Sequence, residues 1–373
     1  MIYFDNAATT LLKPAEVFHA VQNAMRTAAG FGRSGHRPAL RAGELVYACR
    51  EQAAALFGVE EPERVVFTLN ATHALNTAIH ALAKPGMAVA VTGYEHNSVM
   101  RPLAALGCRV IVMEAPLFQP DEAVKAAEAA LEAGAELFIV NHVSNVFGYA
   151  QPVGRIDALL TQAGVPMILD ASQSAGVLPV QAGEWKSLAA VCCPGHKALF
   201  GPQGTGVLLV LSDRLAEPLL YGGTGSLSEQ IEQPDFLPDR FESGTLNAHG
   251  IAGLGAGIAW VRRQGTRQIL GHERRLVSQL VQGLRALPGV EVFSGPGQCG
   301  VVSFRVQGLA CEEVAGRLAL CGVCVRDGLH CAPQAHRSAG TFDTGTVRVS
   351  VSALNTEAEC TRFLTHLESC LRR

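Results

Sequence analysis

Only five lysines occur in this 373-residue chain, and one of them, Lys197, stands where an amine could do covalent chemistry. It closes the run Cys192-Cys193-Pro194-Gly195-His196-Lys197, directly after an apolar stretch, and precedes Gly201-Pro202-Gln203-Gly204-Thr205-Gly206. An amine at a strand end among glycines can lose part of its water. That lowers its pKa and frees the neutral form that condenses with a carbonyl. A surface lysine in a turn would have similar neighbours, so Lys197 needs company to carry meaning. The other four (Lys13, Lys84, Lys125 and Lys186) have bland settings at helix ends, chain ends or a polar helix face.

Asp170 is that company. Pro166-Met167-Ile168-Leu169-Asp170 reads as an apolar strand ending in a carboxylate, where open α/β sheets place ligand-binding groups. Pyridoxal phosphate requires a lysine for its Schiff base and an acid beside its pyridine nitrogen, so that the ring can act as an electron sink. An aspartate and a lysine at neighbouring strand ends would supply both, although Asp170 would also serve as an ordinary helix N-cap. The phosphate requires an anion site. Asn70-Ala71-Thr72-His73 joins an expected strand to an expected helix, whose first N–H groups and Thr72 hydroxyl suit an anion.

Eleven cysteines are present. In a chain of this length a disulfide framework is not expected, and most should be small core residues. Cys321 and Cys324 form a C-x-x-C, but no second such pair or spaced histidine pair completes a zinc site, so no metal is expected. Cys331 opens Ala332-Pro333-Gln334-Ala335-His336-Arg337-Ser338-Ala339-Gly340, a stretch of small and polar residues expected to be mobile. A cysteine on a mobile basic loop can be exposed and partly thiolate, as a nucleophile must be; an ordinary loop cysteine is the alternative.

These residues need a scaffold. Helical spacing covers 15–27, 42–56, 72–83, 121–133 and 154–163, and strand-like runs cover 64–69, 88–92, 109–113, 137–140, 167–169, 188–192 and 206–211. Short apolar strands alternating with helices predict a mainly parallel, doubly wound sheet. Residues 221–243 break into Gly, Pro and acidic residues, a long irregular loop of the kind that is usually functional. A long helix is expected over 251–287, then a smaller α/β unit with strands in 290–306, 323–326 and 347–351 and helices at 312–320 and from 356. The expected division is a large unit, 1–250, and a linking helix with a small C-terminal unit, 251–373, a division that leaves the N-terminal segment free to pack with the latter.

Composition narrows the class. Hydrophobic residues are 48% and charged residues 17%, enough apolar material for a large core and too much for a disordered chain. The net charge of −3 shows no nucleic-acid footprint, and no apolar run approaches a membrane span. The N-terminal residues lack signal-peptide features, so a cytoplasmic protein is expected.

Seven motifs in one order give the chain a resemblance. They are Phe4-Asp5-Asn6-Ala7-Ala8-Thr9-Thr10, Glu95-His96, Asn141-His142-Val143-Ser144-Asn145, Asp170-Ala171-Ser172-Gln173, Gly195-His196-Lys197, Arg240-Phe241-Glu242-Ser243-Gly244-Thr245 and Arg326-Asp327-Gly328-Leu329-His330-Cys331. In these, over nearly its whole length, the sequence resembles class V aminotransferase-fold enzymes, most closely the cysteine desulfurase and selenocysteine lyase group. The resemblance implies the type I pyridoxal-phosphate fold and a homodimer with shared sites. It implies that Lys197 forms the Schiff base, Asp170 pairs with the pyridine nitrogen, Gln173 bonds the ring's phenolic oxygen, and His96 stacks on the ring and serves as a catalytic proton relay. Thr72 and His196, beside Ala71, would hold the phosphate with Thr245 of a partner subunit. Asn145 and Arg348 would hold the substrate carboxylate, and Cys331 would take sulfur from L-cysteine, or selenium from L-selenocysteine, and pass sulfur to an acceptor protein.

Three positions depart from that pattern: Ala71 and Pro194 stand where related enzymes often carry phosphate-binding hydroxyls, and Leu329 where one branch has a second histidine. Backbone N–H groups would compensate for the missing hydroxyls. The competing expectations are another pyridoxal-phosphate lyase or aminotransferase on the same scaffold, and a non-catalytic sulfur-carrier or scaffold protein that keeps only the fold. An aminotransferase has no use for Cys331, and the intact set of Lys197, Asp170, His96 and Arg348 argues against a silent scaffold.

Overall fold

The structure is a computed structural model that describes residues 1–32 and 34–372. The chain opens with β1 (Ile2–Tyr3), α1 (Ala15–Thr27) and α2 (Arg37–Phe57), and α2 stops at Gly58 in the left-handed region. Alternation then sets in: β2 (Val65–Thr68), α3 (Ala71–Leu82), β3 (Ala88–Thr92), α4 (Asn97–Ala105), β4 (Arg109–Met113), α5 (Pro120–Glu132), β5 (Leu137–Asn141), α6 (Val153–Ala163) and β6 (Met167–Asp170). Two further strands, β7 (Leu188–Pro194) and β8 (Gly206–Val210), complete a seven-stranded sheet in the order β2-β8-β7-β6-β5-β3-β4. All neighbours are parallel except β8, which runs antiparallel to β2 and β7.

Alternate residues of each strand feed opposite layers. Phe138 and Val140 of β5 pack toward α2, α5, α6 and the later helix α7 (Ala248–Gln264), whereas Leu137 and Ile139 pack against α3 and α4. Such double coverage explains the nearly unbroken apolar runs of the strands. Each fully buried Leu, Ile or Phe in these layers stabilises the fold by about 1.5–3 kcal/mol.

No helix or strand lies between β8 and α7, in keeping with the irregular stretch expected there. It is anchored all the same: the Glu242 carboxylate meets the Arg50 guanidinium of α2 and accepts a hydrogen bond from Phe67 N of β2 at 2.6 Å. The single helix expected over 251–287 is two, α7 and α8 (Thr266–Arg285), because Gly265 between them has φ +81° and breaks the hydrogen-bond ladder.

The remaining elements are β9 (Val290–Phe293), β10 (Val301–Val306), α9 (Cys311–Leu320), β11 (Val323–Cys324), β12 (Arg326–Gly328), α10 (Pro333–Ser338), β13 (Thr346–Ser350) and α11 (Glu357–Leu371). Strands β12-β13-β10-β9 form an antiparallel sheet packed with α8, α9 and α11. The N-terminus returns to this sheet's neighbourhood: β1 pairs in parallel with β11, and Phe4 O accepts from Ser350 N at 2.7 Å.

Two elements went unforeseen. Helix α4 contains Pro102, which argues against a helix in the sequence, yet His96 caps it by accepting from Ser98 N. Helix α10 replaces the mobile stretch expected after Cys331. Ala332, Ala335 and His336 are buried, His336 Nδ1 lies 2.7 Å from Thr341 Oγ1, and Ser338 Oγ donates to Gly93 O at 2.7 Å. The small residues there permit close packing, and their packing fixes the segment.

Candidate active site

Strand register brings the lysine and the aspartate together. Asp170 ends β6 and pairs with Cys192 of β7, so the turn after β7 carries Lys197 to the same carboxyl edge of the sheet. That turn is tight because Gly195 lacks a side chain; a Cβ there would fall 2.2 Å from Thr205 Oγ1. The N-terminal segment clamps it from the other side. His196 O accepts from Thr10 N at 3.1 Å and from Thr10 Oγ1 at 3.0 Å, and His196 Nδ1 lies 3.0 Å from Thr9 Oγ1. Burial lowers the Lys197 pKa to about 8, with Asp170 opposing and the Arg348 and Arg326 charges assisting. Lys13, bland in the sequence, is also half-buried with its pKa lowered to about 8 by burial, and it donates to Thr10 Oγ1 at 2.9 Å.

A second wall is built from two helix starts. Asn70 caps α3 by accepting from His73 N at 2.9 Å, which leaves the Ala71 and Thr72 N–H groups without intrahelical partners. Thr72 Oγ1 lies 2.8 Å from Ser98 Oγ at the start of α4. Ser98 N and Ser98 Oγ in turn lie 3.0 and 2.9 Å from His96 Nδ1. Because Ser98 N–H donates into Nδ1, the neutral ring carries its proton on Nε2. Burial lowers the His96 pKa to about 4, so this neutral form prevails at pH 7. Burial likewise lowers His196 to about 4, with Lys197 and Lys13 assisting.

The third wall comes from the small sheet. Arg348 of β13 is 1% exposed, pairs with Asp5 at 2.6 Å, and donates to Asn145 O at 3.0 Å; its Nε has no partner. Asn145 donates to His330 O at 2.9 Å while its Oδ1 is buried without a partner. Cys331 follows on an exposed corner, where His330 and Cys331 have φ of +51° and +58°. Two consecutive non-glycine residues in that region are strained by roughly 1–2 kcal/mol each. The corner is held by Asn145 on one carbonyl and by Asn97 N, which donates to Cys331 O at 2.9 Å. Arg326 of β12 reaches the Cys331 Sγ at 3.4 Å.

Between the walls is a cavity of about 210 Å³ lined by Ala71, Thr72, His96, Asn145, Asp170, Gln173, His196, Lys197 and Arg348 among others. Gln173 is anchored by donating to Ala7 O at 3.0 Å. Cys331 is not among the lining residues, but its neighbours Arg326 and His330 are. Thr245 is exposed and lies outside the cavity wall of its own chain. Ser98, Asn141, Arg326 and His330 line the cavity and were not singled out as site residues. The His96-x-Ser98 cap was the available signal for Ser98, and the Arg326-to-Cys331 motif contained Arg326 and His330 without giving either a role. A larger open groove, about 830 Å³, runs along 55–61 and 176–186 and gathers none of these groups.

The cavity fits pyridoxal phosphate on its donor set. An amine of lowered pKa and a buried carboxylate stand at adjacent strand ends. The start of α3 with the Thr72 and Ser98 hydroxyls supplies an anion cradle, so Ser98 offers a hydroxyl where Ala71 and Pro194 offer none. The orphaned Arg348 Nε and Asn145 Oδ1 remain for a further polar ligand.

Known proteins place the chain. It is 32% identical to a probable cysteine desulfurase of Methanothermobacter thermautotrophicus over 96% of this chain and 92% of that one. A second such protein, from Pyrococcus abyssi, is 32% identical over 100% and 94%. Among solved structures, the apo cysteine desulfurase of Thermococcus onnurineus superposes with a TM-score of 0.90 at 32% identity, covering 100% of this chain and 94% of that one. An Escherichia coli cysteine desulfurase in an S-sulfonic acid form gives 0.86 at 26%, with the same coverage. The family model described as aminotransferase class V matches residues 2–363, and the chain therefore belongs to the class V aminotransferase family, whose enzymes depend on pyridoxal phosphate.

Proposed function

We propose that this protein is a pyridoxal-phosphate-dependent cysteine desulfurase, which converts L-cysteine to L-alanine and takes the sulfur as a persulfide on Cys331. The observation that carries the proposal is an amine of lowered pKa inside the cavity, together with an exposed cysteine sulfur just outside it that the cavity-lining Arg326 guanidinium reaches at 3.4 Å. An aminotransferase requires the first and has no use for the second. The names of the relatives point the same way.

When bound, the cofactor supplies a carbonyl for the amine and an electron-withdrawing ring. Lys197 would hold the cofactor through its amine, and the same amine, once free, would take the substrate α-proton. Asp170 would hold the ring-nitrogen side of the cofactor, and Gln173 would offer its second amide hydrogen to the ring oxygen. The α3 N–H groups, Thr72, Ser98 and His196 hold the phosphate end, and neutral His96 relays protons through Nε2. Arg348, kept in place by Asp5, grips the substrate carboxylate with Asn145. Cys331 sulfur attacks the substrate sulfur: a sulfur–sulfur bond forms, the carbon–sulfur bond breaks, and the carbon takes a proton to become the alanine methyl.

We further propose a cytoplasmic homodimer, in which Thr245 of one subunit completes the phosphate site of the other. Exposed apolar side chains on α1 and α2 (Phe18, Met25, Leu40 and Tyr47), with Leu69, Leu220 and Tyr221, support a covered face. An acceptor protein would collect the persulfide sulfur. Among the described residues no helix is long and apolar enough to cross a membrane. The test is to supply L-cysteine and L-selenocysteine separately and to measure alanine with sulfide or selenide. With an added thiol reductant, which takes the outer persulfide sulfur off as sulfide and is itself oxidised to its disulfide, equimolar alanine and sulfide, abolished in Cys331→Ser, is the expected result. Turnover of selenocysteine alone would make the protein a selenocysteine lyase, and no alanine from either would refute the proposal.

A further inference from the structure

The C-x-x-C at Cys321 and Cys324 does not form a pair in space. Cys324 lies on β11 beside β1, where it pairs with Tyr3. Cys321 caps the end of α9, is exposed, and has its Sγ 3.8 Å from the Sγ of Cys370 in the last turn of α11. The two helix ends are held together independently of the sulfurs: Arg317 in the last turn of α9 donates to Cys370 O at 2.7 Å. Cys370 is buried.

We propose that Cys321 and Cys370 form a dithiol modification site, which a low-molecular-weight disulfide of the glutathione class converts to an intramolecular bridge. The exposed Cys321 thiolate attacks the reagent, forming a mixed disulfide and releasing one reagent thiol. The Cys370 thiolate then attacks Cys321 Sγ and releases the second thiol. Two protein thiols lose two electrons and two protons, and the reagent disulfide becomes two thiols. The sulfurs must close from 3.8 Å to about 2.05 Å. That movement falls on the C-cap of α9 and on the last turn of α11, where the helix hydrogen-bond ladder is incomplete. The bridge closes a loop from 321 to 370 that contains Cys331 and Arg348. Cys321 and Cys370 lie outside the cavity, so the proposal is independent of the function assigned to it.

The experiment exposes the full-length protein to oxidised glutathione, blocks remaining thiols, and maps peptides by mass spectrometry without reduction. The expected product is a reducible Cys321–Cys370 cross-linked peptide lacking two hydrogens. Cys370→Ser should instead accumulate a stable glutathione adduct on Cys321, and Cys321→Ser should leave Cys370 unmodified. A wild-type protein that keeps the adduct on Cys321 unresolved, or that bridges Cys321 to Cys324, would overturn the proposal.

Discussion

Replacing Glu273 by Gln should stabilise this protein, and increasingly so as the pH rises. Glu273 lies on α8 with 3% of its surface exposed, facing a small cavity of about 30 Å³, with its Oε2 2.5 Å from where a Cβ on Gly300 would stand. Burial alone raises its pKa from 4.5 to about 8. In the unfolded chain it ionises near 4.5, so between 4.5 and about 8 the folded state holds one proton more. Stability therefore falls as pH rises through that window and levels off above it. The whole span, at about 1.4 kcal/mol per pH unit, is about 5 kcal/mol, and water penetration brings it to on the order of 3–5 kcal/mol. Glutamine has the same shape and no proton to lose. Urea denaturation of both proteins from pH 5 to 9, at equal concentration and with equal slopes, should show nearly equal midpoints at pH 5. The variant should lead by several kcal/mol at pH 9. A difference that stays constant across that range would refute the reasoning, because no titration would then be involved.

Four further outcomes follow from the site. Borohydride reduction of the yellow holoenzyme should place the pyridoxyl group on Lys197; label on Lys13, the other lysine of lowered pKa, would sink the assignment. Cys331→Ser should retain the cofactor absorbance while sulfide release from cysteine drops by two orders of magnitude or more, since a serine hydroxyl is not ionised at neutral pH. Arg326→Gln removes the charged donor to Cys331 Sγ, which is expected to cut the rate of persulfide formation about tenfold with cofactor affinity unchanged. Asp5→Asn leaves Arg348 buried without its counter-charge; the KM for cysteine should rise about tenfold, and a KM identical to the wild type would disprove the positioning role of Asp5.

The sequence by itself determined the doubly wound sheet, because strands buried on both faces must be apolar throughout and helices covering them must be striped. It also exposed Lys197 and Asp170, since residues at the carboxyl ends of such strands face the same edge of the sheet. The long-range partners were hidden. Nothing local tells that Ser98 meets Thr72, that Asp5 pairs with Arg348 across 343 positions, or that Cys321 faces Cys370 instead of Cys324. Local propensity misjudged 97–105 and 333–338: a proline and a run of small residues look like loop until His96 caps one helix and buried packing holds the other. The helical pattern runs on through 251–287, and the positive φ of Gly265 divides it in two. Periodicity is written in each segment and survives translation into structure directly. Register, capping and burial depend on which segments meet, and that was decided only when the two sheets and their helices packed together.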